Sequence, residues 1–274
     1  SDVEENSITK KLKARGIPIC LGHTVSCLAG VNLLVYSSSI RRDNPELKGA
    51  RKIGIPIIPR MELLKMVMDR HKKRIGVLGT HGKTTITAMT SLVLEKAGAC
   101  PTVVIGGESP HFGGNAKLGG KDVITAEVDE SDGLFTIIDA THIIMPNLEN
   151  EHAEHYRDEA HMVLTFKKFL MAQSKRTLFI YRIEDRNLRD LAGAKKTCLR
   201  SFGYSDEAGT YASDIRTEAG KTRFKCFSDG KRIGDFALGV PGMHNVTNAL
   251  AAISAGVSLG IDAGTLKRSI SSYR

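Results

Sequence analysis

Gly79-Thr80-His81-Gly82-Lys83-Thr84-Thr85 follows an apolar run, Ile75 to Leu78, and precedes a helix-forming stretch. A strand, a short glycine-bearing loop and a helix in that order make a phosphate cradle, because successive backbone N–H groups and the helix N-terminus converge on one anion. In such a cradle Lys83 reaches the β and γ phosphates and the Thr84 hydroxyl ligates a magnesium ion. The spacing is a variant of G-x-x-x-x-G-K-T: Val77 stands where the first glycine is usual, and the loop is one residue shorter when counted from Gly76. A turn that merely contains Gly-Lys-Thr is the competing reading, and the strand–loop–helix context argues against it.

Three further clusters follow apolar strands or open a helix. Ala126-Glu127-Val128-Asp129-Glu130-Ser131-Asp132 closes one strand, where a carboxylate points into the ligand crevice of an α/β sheet and can serve a magnesium ion. A solvated acidic turn is the alternative. Asn147-Leu148-Glu149-Asn150-Glu151-His152-Ala153-Glu154-His155-Tyr156 lies past another strand. His152 and His155 lack a third soft ligand and the H-E-x-x-H order, so a zinc site is disfavoured. Magnesium prefers oxygen, which leaves His152 open between a metal ligand and a hydrogen-bonding loop residue. Val240-Pro241-Gly242-Met243-His244-Asn245-Val246-Thr247-Asn248 opens a long helix. Asn245 and Asn248 share a helix face and could read an adenine edge; Asn245 could equally be the helix N-cap.

These clusters need strands and helices to position them, and the sequence alternates accordingly. Before residue 70, Asp2 can cap a helix carrying Ile8 and Leu12 that stops at Gly16. Strands are expected at Ile17 to Leu21, Val31 to Tyr36 and Ile55 to Ile58, with a helix after Asn44-Pro45. An amphipathic helix over 60–71 and the basic stretch Arg70 to Arg74 suggest a domain boundary, giving domains 1–70 and 71–274. Later strands are expected at Ile75 to Leu78, Thr102 to Ile105, Val123 to Val128, His142 to Met145 and Thr177 to Tyr181. Helices are expected at Thr84 to Ala97, about 158–173 and Asn245 to Leu259. The six glycines of 106–120 read as a loop, and Asp229-Gly230 marks a hairpin in a small antiparallel region. The fold class is α/β: a partial Rossmann-like domain, then a P-loop ATPase-type domain with a mostly parallel sheet.

Composition narrows the function classes. The 39 lysines and arginines against 30 acidic residues give a net charge of +9, but the positives are scattered and no aromatic residues interleave with a basic stripe, so nucleic acid is not an expected partner. No apolar run is long enough to span a bilayer, and no signal peptide is evident, so a membrane is not expected either and a cytoplasmic location is. The five cysteines (Cys20, Cys27, Cys100, Cys198, Cys226) show no paired spacing and read as reduced thiols.

Taken in order, G-T-H-G-K-T-T, A-E-x-D-E-S-D and P-G-x-H-N-x-x-N-A resemble the Mur ligases, the ATP-dependent amide-forming enzymes of peptidoglycan synthesis. Gly22-His23, Ser37-Ser38, Asp43-Asn44-Pro45-Glu46 and Gly54-Ile55-Pro56 look like that family's UDP-binding domain. The resemblance implies ATP and Mg²⁺ as cofactors, with Gly79 to Thr85 at the phosphates and Asn245 and Asn248 at the adenine. It implies that Thr84 and Glu127 hold one magnesium ion, Glu127 and His152 a second, and that Lys83, Glu127 and His152 are catalytic. Asp2, His23, Ser37 and Ser38 would lie near the UDP-sugar. The implied reaction joins L-alanine to the carboxylate of UDP-N-acetylmuramate through an acyl phosphate. A related ligase that attaches a murein tripeptide, a P-loop phosphotransferase and a non-catalytic nucleotide-binding fragment are the alternatives. The chain has Glu149-Asn150-Glu151-His152 where the family usually has E-P-D-H. A glycine-rich loop before Ser1 and a third domain after Arg274 would complete the family pattern.

Overall fold

A computed structural model of the chain describes residues 1–149, 155–196, 198–218 and 220–274. The chain forms two compact units, Ser1–Val67 and Met68–Arg274. No helix among the described residues is long and apolar enough to cross a membrane.

The first unit contains α1 (Ser7–Ala14), β1 (Leu34–Tyr36), α2 (Pro45–Ile53), β2 (Ile57–Pro59) and most of α3 (Arg60–Met68). Strands β1 and β2 are parallel neighbours. Helix α1 is capped by Asn6, whose side chain accepts from the Ile8 and Thr9 N–H groups, and not by Asp2. Asp2 instead forms a lone parallel bridge with Leu21, which is all that the expected strand Ile17 to Leu21 amounts to. Two of the five cysteines depart from the reduced-thiol expectation. The chain folds back between Cys20 and Cys27, bringing their Cα atoms to 6.0 Å, and the two sulfurs are bonded. A spacing of seven residues carries no sequence signal of that turn. Cys100, Cys198 and Cys226 remain free.

The second unit runs β3 (Lys73–Val77), α4 (Lys83–Lys96), β4 (Thr102–Ser109), β5 (Gly114–Lys117), β6 (Val123–Glu127), β7 (His142–Met145), α5 (Glu159–Ala172), β8 (Leu178–Arg182), α6 (Arg186–Lys195), β9 (Leu199–Gly203), β10 (Thr210–Glu218), β11 (Lys221–Ser228), β12 (Lys231–Leu238), α7 (Met243–Ser258) and α8 (Ala263–Ser272). Its ten strands form one sheet in the order β12-β11-β10-β9-β8-β7-β3-β6-β4-β5. Strands β10 through β4 in that order are mutually parallel, while β11 and β12 at one end and β5 at the other are antiparallel. The glycine-rich stretch expected to be a loop is thus partly a hairpin, because β4 extends through Gly106 and Gly107 to Ser109 and turns back into β5. Helix α6 was not expected. Its N-cap, Asp185, accepts from the Leu188 N–H and follows directly on β8.

Strands β3, β6 and β7 are apolar on both faces, as a central parallel sheet requires. Helices α4, α7 and α8 pack together. Ile86, Met89 and Val93 of α4 and Val246, Leu250 and Ile253 of α7 join Ile75, Val77 and Ile144 of the sheet in one buried cluster. The run Ala249, Ala251, Ala252 and Ala255 is fully buried, and such small residues let helix backbones approach closely. Helices α5 and α6 pack on each other. Phe166 and Phe169 of α5 close on Phe135, with ring centroids 4.6 and 5.1 Å away.

Candidate functional site

Strand β3 delivers the chain to Gly79, and α4 begins at Lys83. The N-cap of α4 is Gly82, left-handed at φ 84°, with no side chain capping the first turn. Gly82 has no side chain with which to cap the N–H groups of that turn, and the positive end of the helix faces the loop. Gly82 is also required by a neighbour: a Cβ there would lie 2.5 Å from the Asn248 Oδ1. Helix α7 thus sets its Asn248, 6% exposed, against the loop.

The loop is tied to the segment after β7. Asn147 accepts from the His81 N–H at 2.8 Å and donates to the His81 carbonyl at 3.1 Å. Thr80 accepts from the Glu149 N–H at 2.8 Å and donates to the Glu149 carbonyl at 3.0 Å. These reciprocal pairs give the loop a fixed shape. Thr80 is thus tied to Glu149 and His81 to Asn147, and Thr85 lies half-buried in the first turn of α4.

Lys83 points back over the loop. Its Nζ donates to the Gly79 carbonyl at 2.6 Å, to the Thr80 carbonyl at 3.3 Å and to Glu130 Oε1 at 2.8 Å. Glu130 is buried, and burial pushes its carboxyl above the usual carboxylate range, with the Lys83 ammonium acting in the opposite sense. Its backbone carbonyl accepts from the Tyr156 hydroxyl at 2.7 Å, and Tyr156 is fully buried.

At the next residue, the Thr84 hydroxyl donates to Glu127 Oε2 at 2.9 Å, and the Gly106 N–H donates to the same oxygen at 2.7 Å. A Cβ on Gly106 would fall 2.5 Å from the Glu127 carboxylate, so the glycine is what admits that contact. A hydroxyl and a carboxylate oxygen side by side are hard donors, and they fit a magnesium ion that completes its shell with water and phosphate. No group of three or more His, Cys, Asp and Glu side chains is placed to hold a metal among the described residues. His152 lies outside them. His155 is exposed, edge-on to Tyr156 at 4.8 Å.

At the start of α7, Asn245 is not the N-cap. It lies a turn inside, and its amide donates to the Pro241 carbonyl at 2.7 Å. The hydroxyl of Tyr204, just past β9, donates to the Met243 carbonyl at 2.7 Å and bonds the Thr247 hydroxyl at 2.7 Å. Arg182 lies over the Tyr204 ring at 5.7 Å. Tyr204 thus fixes the end of α7 that carries both asparagines, a role with no motif to betray it. Glu130 and Asn147 were visible in the sequence as members of clusters, but nothing in their spacing assigned them Lys83 and His81 as partners.

Within the first unit, Asp2 exchanges backbone hydrogen bonds with Cys20 and Gly22. His23 lies beside the Ser1 hydroxyl at 3.2 Å and the buried Glu46 at 3.8 Å. Asp2 and His23 are therefore at neighbouring positions. Ser37 and Ser38 lie in the turn after β1, where Ser37 bonds the Ser39 hydroxyl at 3.0 Å.

The family profile described as "Mur ligase middle domain" matches residues 77–256, and that described as "Mur ligase family, catalytic domain" matches residues 1–72. The UDP-N-acetylmuramate--L-alanine ligase of Syntrophobacter fumaroxidans is 39% identical over 96% of this chain and 56% of its own length. The crystal structure of UDP-N-acetylmuramate-alanine ligase MurC from Thermotoga maritima superposes with a TM-score of 0.89 at 29% identity, covering 99% of this chain and 61% of that one. A MurF ligase from Thermotoga maritima, solved in complex with ADP, shares the fold with a TM-score of 0.66 at 14% identity, covering 88% of this chain and 63% of that one. The chain thus spans little more than half the length of the relatives it matches.

Proposed function

The chain belongs to the Mur ligase family, and on that premise we propose that its loop at Gly79–Thr85 binds ATP for the joining of L-alanine to the carboxylate of UDP-N-acetylmuramate, a cytoplasmic step of peptidoglycan synthesis. The observation that carries the reading is the convergence at one loop of Lys83, the uncapped start of α4 and the Thr84–Glu127 pair. A carboxylate is a poor acyl donor until its oxygen is made a leaving group. An oxygen of the muramoyl carboxylate attacks the γ-phosphorus, the bond to ADP breaks, and an acyl phosphate results. The amine of L-alanine then attacks the acyl carbon, loses a proton, and phosphate departs.

Each residue has a physical task in that sequence. Lys83 offsets the negative charge that spreads over the transferred group. The N–H groups at the start of α4 donate to the β-phosphate oxygens. Thr84 and Glu127 would hold Mg²⁺, which when bound neutralises phosphate charge; His152 is assigned to a second ion by family resemblance. Family resemblance assigns Asn248 and Asn245 to the adenine, and Asp2, His23, Ser37 and Ser38 to the UDP-sugar.

The test is phosphate release with UDP-N-acetylmuramate, L-alanine, ATP and magnesium, omitting one component at a time. The proposal expects release to require both the muramoyl nucleotide and the amino acid. ATP turnover indifferent to the muramoyl nucleotide would overturn it in favour of a phosphotransferase or switch. Faster release with a murein tripeptide in place of L-alanine would move the assignment to the related tripeptide ligase.

A further inference from the structure

Lys83 is engaged by the protein's own groups. Its three N–H donors are taken up by Gly79, Thr80 and Glu130, so a phosphate oxygen can bind the ammonium only by displacing one of them. The two carbonyls belong to the loop that Asn147 and Glu149 hold in place. Glu130 cannot withdraw to water, since its side chain is 3% exposed and its backbone is fixed by Tyr156 and by the Gly133 N–H. Nearby stands a second carboxylate, Glu127, on the Thr84 side of the loop. Lys83 is thus set among carboxylates, Glu130 in contact, Glu127 across the loop and Asp129 acting on Glu130, and the α4 terminus adds a partial positive charge.

We propose that Glu130 makes polyphosphate binding at this loop depend on a divalent cation, by neutralising Lys83 until a metal-bound phosphate replaces it. The inference rests on the nucleotide reading given above and assigns Glu130 as a positioning residue for Lys83. A metal-free polyphosphate brings negative charge to a site whose ammonium is already paired, whereas its magnesium complex brings the missing positive charge with it. Exchanging Glu130 for a neutral residue leaves Lys83 on the loop carbonyls with its charge uncompensated and open to any phosphate.

The measurement is the affinity of the chain for ADP by calorimetry, once with excess Mg²⁺ and once in EDTA, for the wild type, Glu130→Gln and Lys83→Met. In the wild type, EDTA should weaken binding at least tenfold. In Glu130→Gln the metal-free affinity should rise about tenfold and the gap between the two conditions should narrow. In Lys83→Met the gap should widen. Glu130→Leu, suited to the buried setting, should reproduce the Gln result and serves if Gln impairs folding. A merely structural role would weaken binding alike in both conditions and leave the ratio unmoved, which would overturn the proposal. A wild type that binds ADP equally well with and without metal would also overturn it while leaving the nucleotide site intact. A wild type that binds neither ADP nor ATP in either condition would instead refute the nucleotide reading, and this inference with it.

Discussion

Lys83 and Glu127 carry the account at the level of single residues. Removing a preorganised charge partner of a transferring phosphoryl group costs roughly 10²–10³-fold in rate, about 3–4 kcal/mol. Lys83→Ala and Glu127→Ala should each lower ATP-driven phosphate release by that much, with circular dichroism unchanged. Near-wild-type rates in either folded variant would contradict the assignment. The loop and these two residues were legible in the sequence because their chemistry is local: Gly-Lys-Thr must follow a strand and open a helix, and a carboxylate must end a neighbouring strand. Partnerships across the sheet were not legible. The Asn147 latch on His81 joins residues 66 positions apart, and the Glu130 contact with Lys83 spans 47. For Asn245 the sequence left capping and ligand reading open, and the helix start at Gly242 removes the capping alternative.

Strand β7 offers a test at the level of elements. His142, its first residue, is mostly buried, and burial together with the Lys73 ammonium pulls its imidazole down to about 4. The native state therefore keeps it neutral, whereas the unfolded chain takes up a proton near pH 6.5. Stability from this group is complete above the unfolded value and is lost as pH falls from about 6.5 toward 4, by up to about 3 kcal/mol. His142→Asn should flatten the fall in denaturation midpoint across that window, and an unchanged slope would show that the site is wetter than its burial implies. Helices α4 and α7 were readable from sequence by the residues that bound them, Gly98 after the one and Pro241-Gly242 before the other. The β4–β5 hairpin was not, because six glycines look like a loop until Gly106 is seen admitting Glu127. Helix α6 is short and polar overall, and its buried face carries only two large apolar side chains, Leu188 and Leu191.

At the scale of the whole molecule, the sheet order brings three loops together that the sequence keeps far apart. Strands β7, β3 and β6 lie side by side and parallel, so the segments after Met145, Val77 and Glu127 emerge at one edge. That topology turns a loop, a carboxylate cluster and an asparagine latch into one site at the carboxyl ends of parallel strands. The central claim is that this site passes a phosphoryl group to a carboxylate and does not merely hydrolyse ATP. It is tested most directly with UDP-N-acetylmuramate carrying ¹⁸O in its carboxylate, given to the protein at its full encoded length with L-alanine, ATP and Mg²⁺. The account predicts that each released phosphate carries one labelled oxygen, taken from the carboxylate when the acyl phosphate collapses. Released phosphate free of label would contradict it.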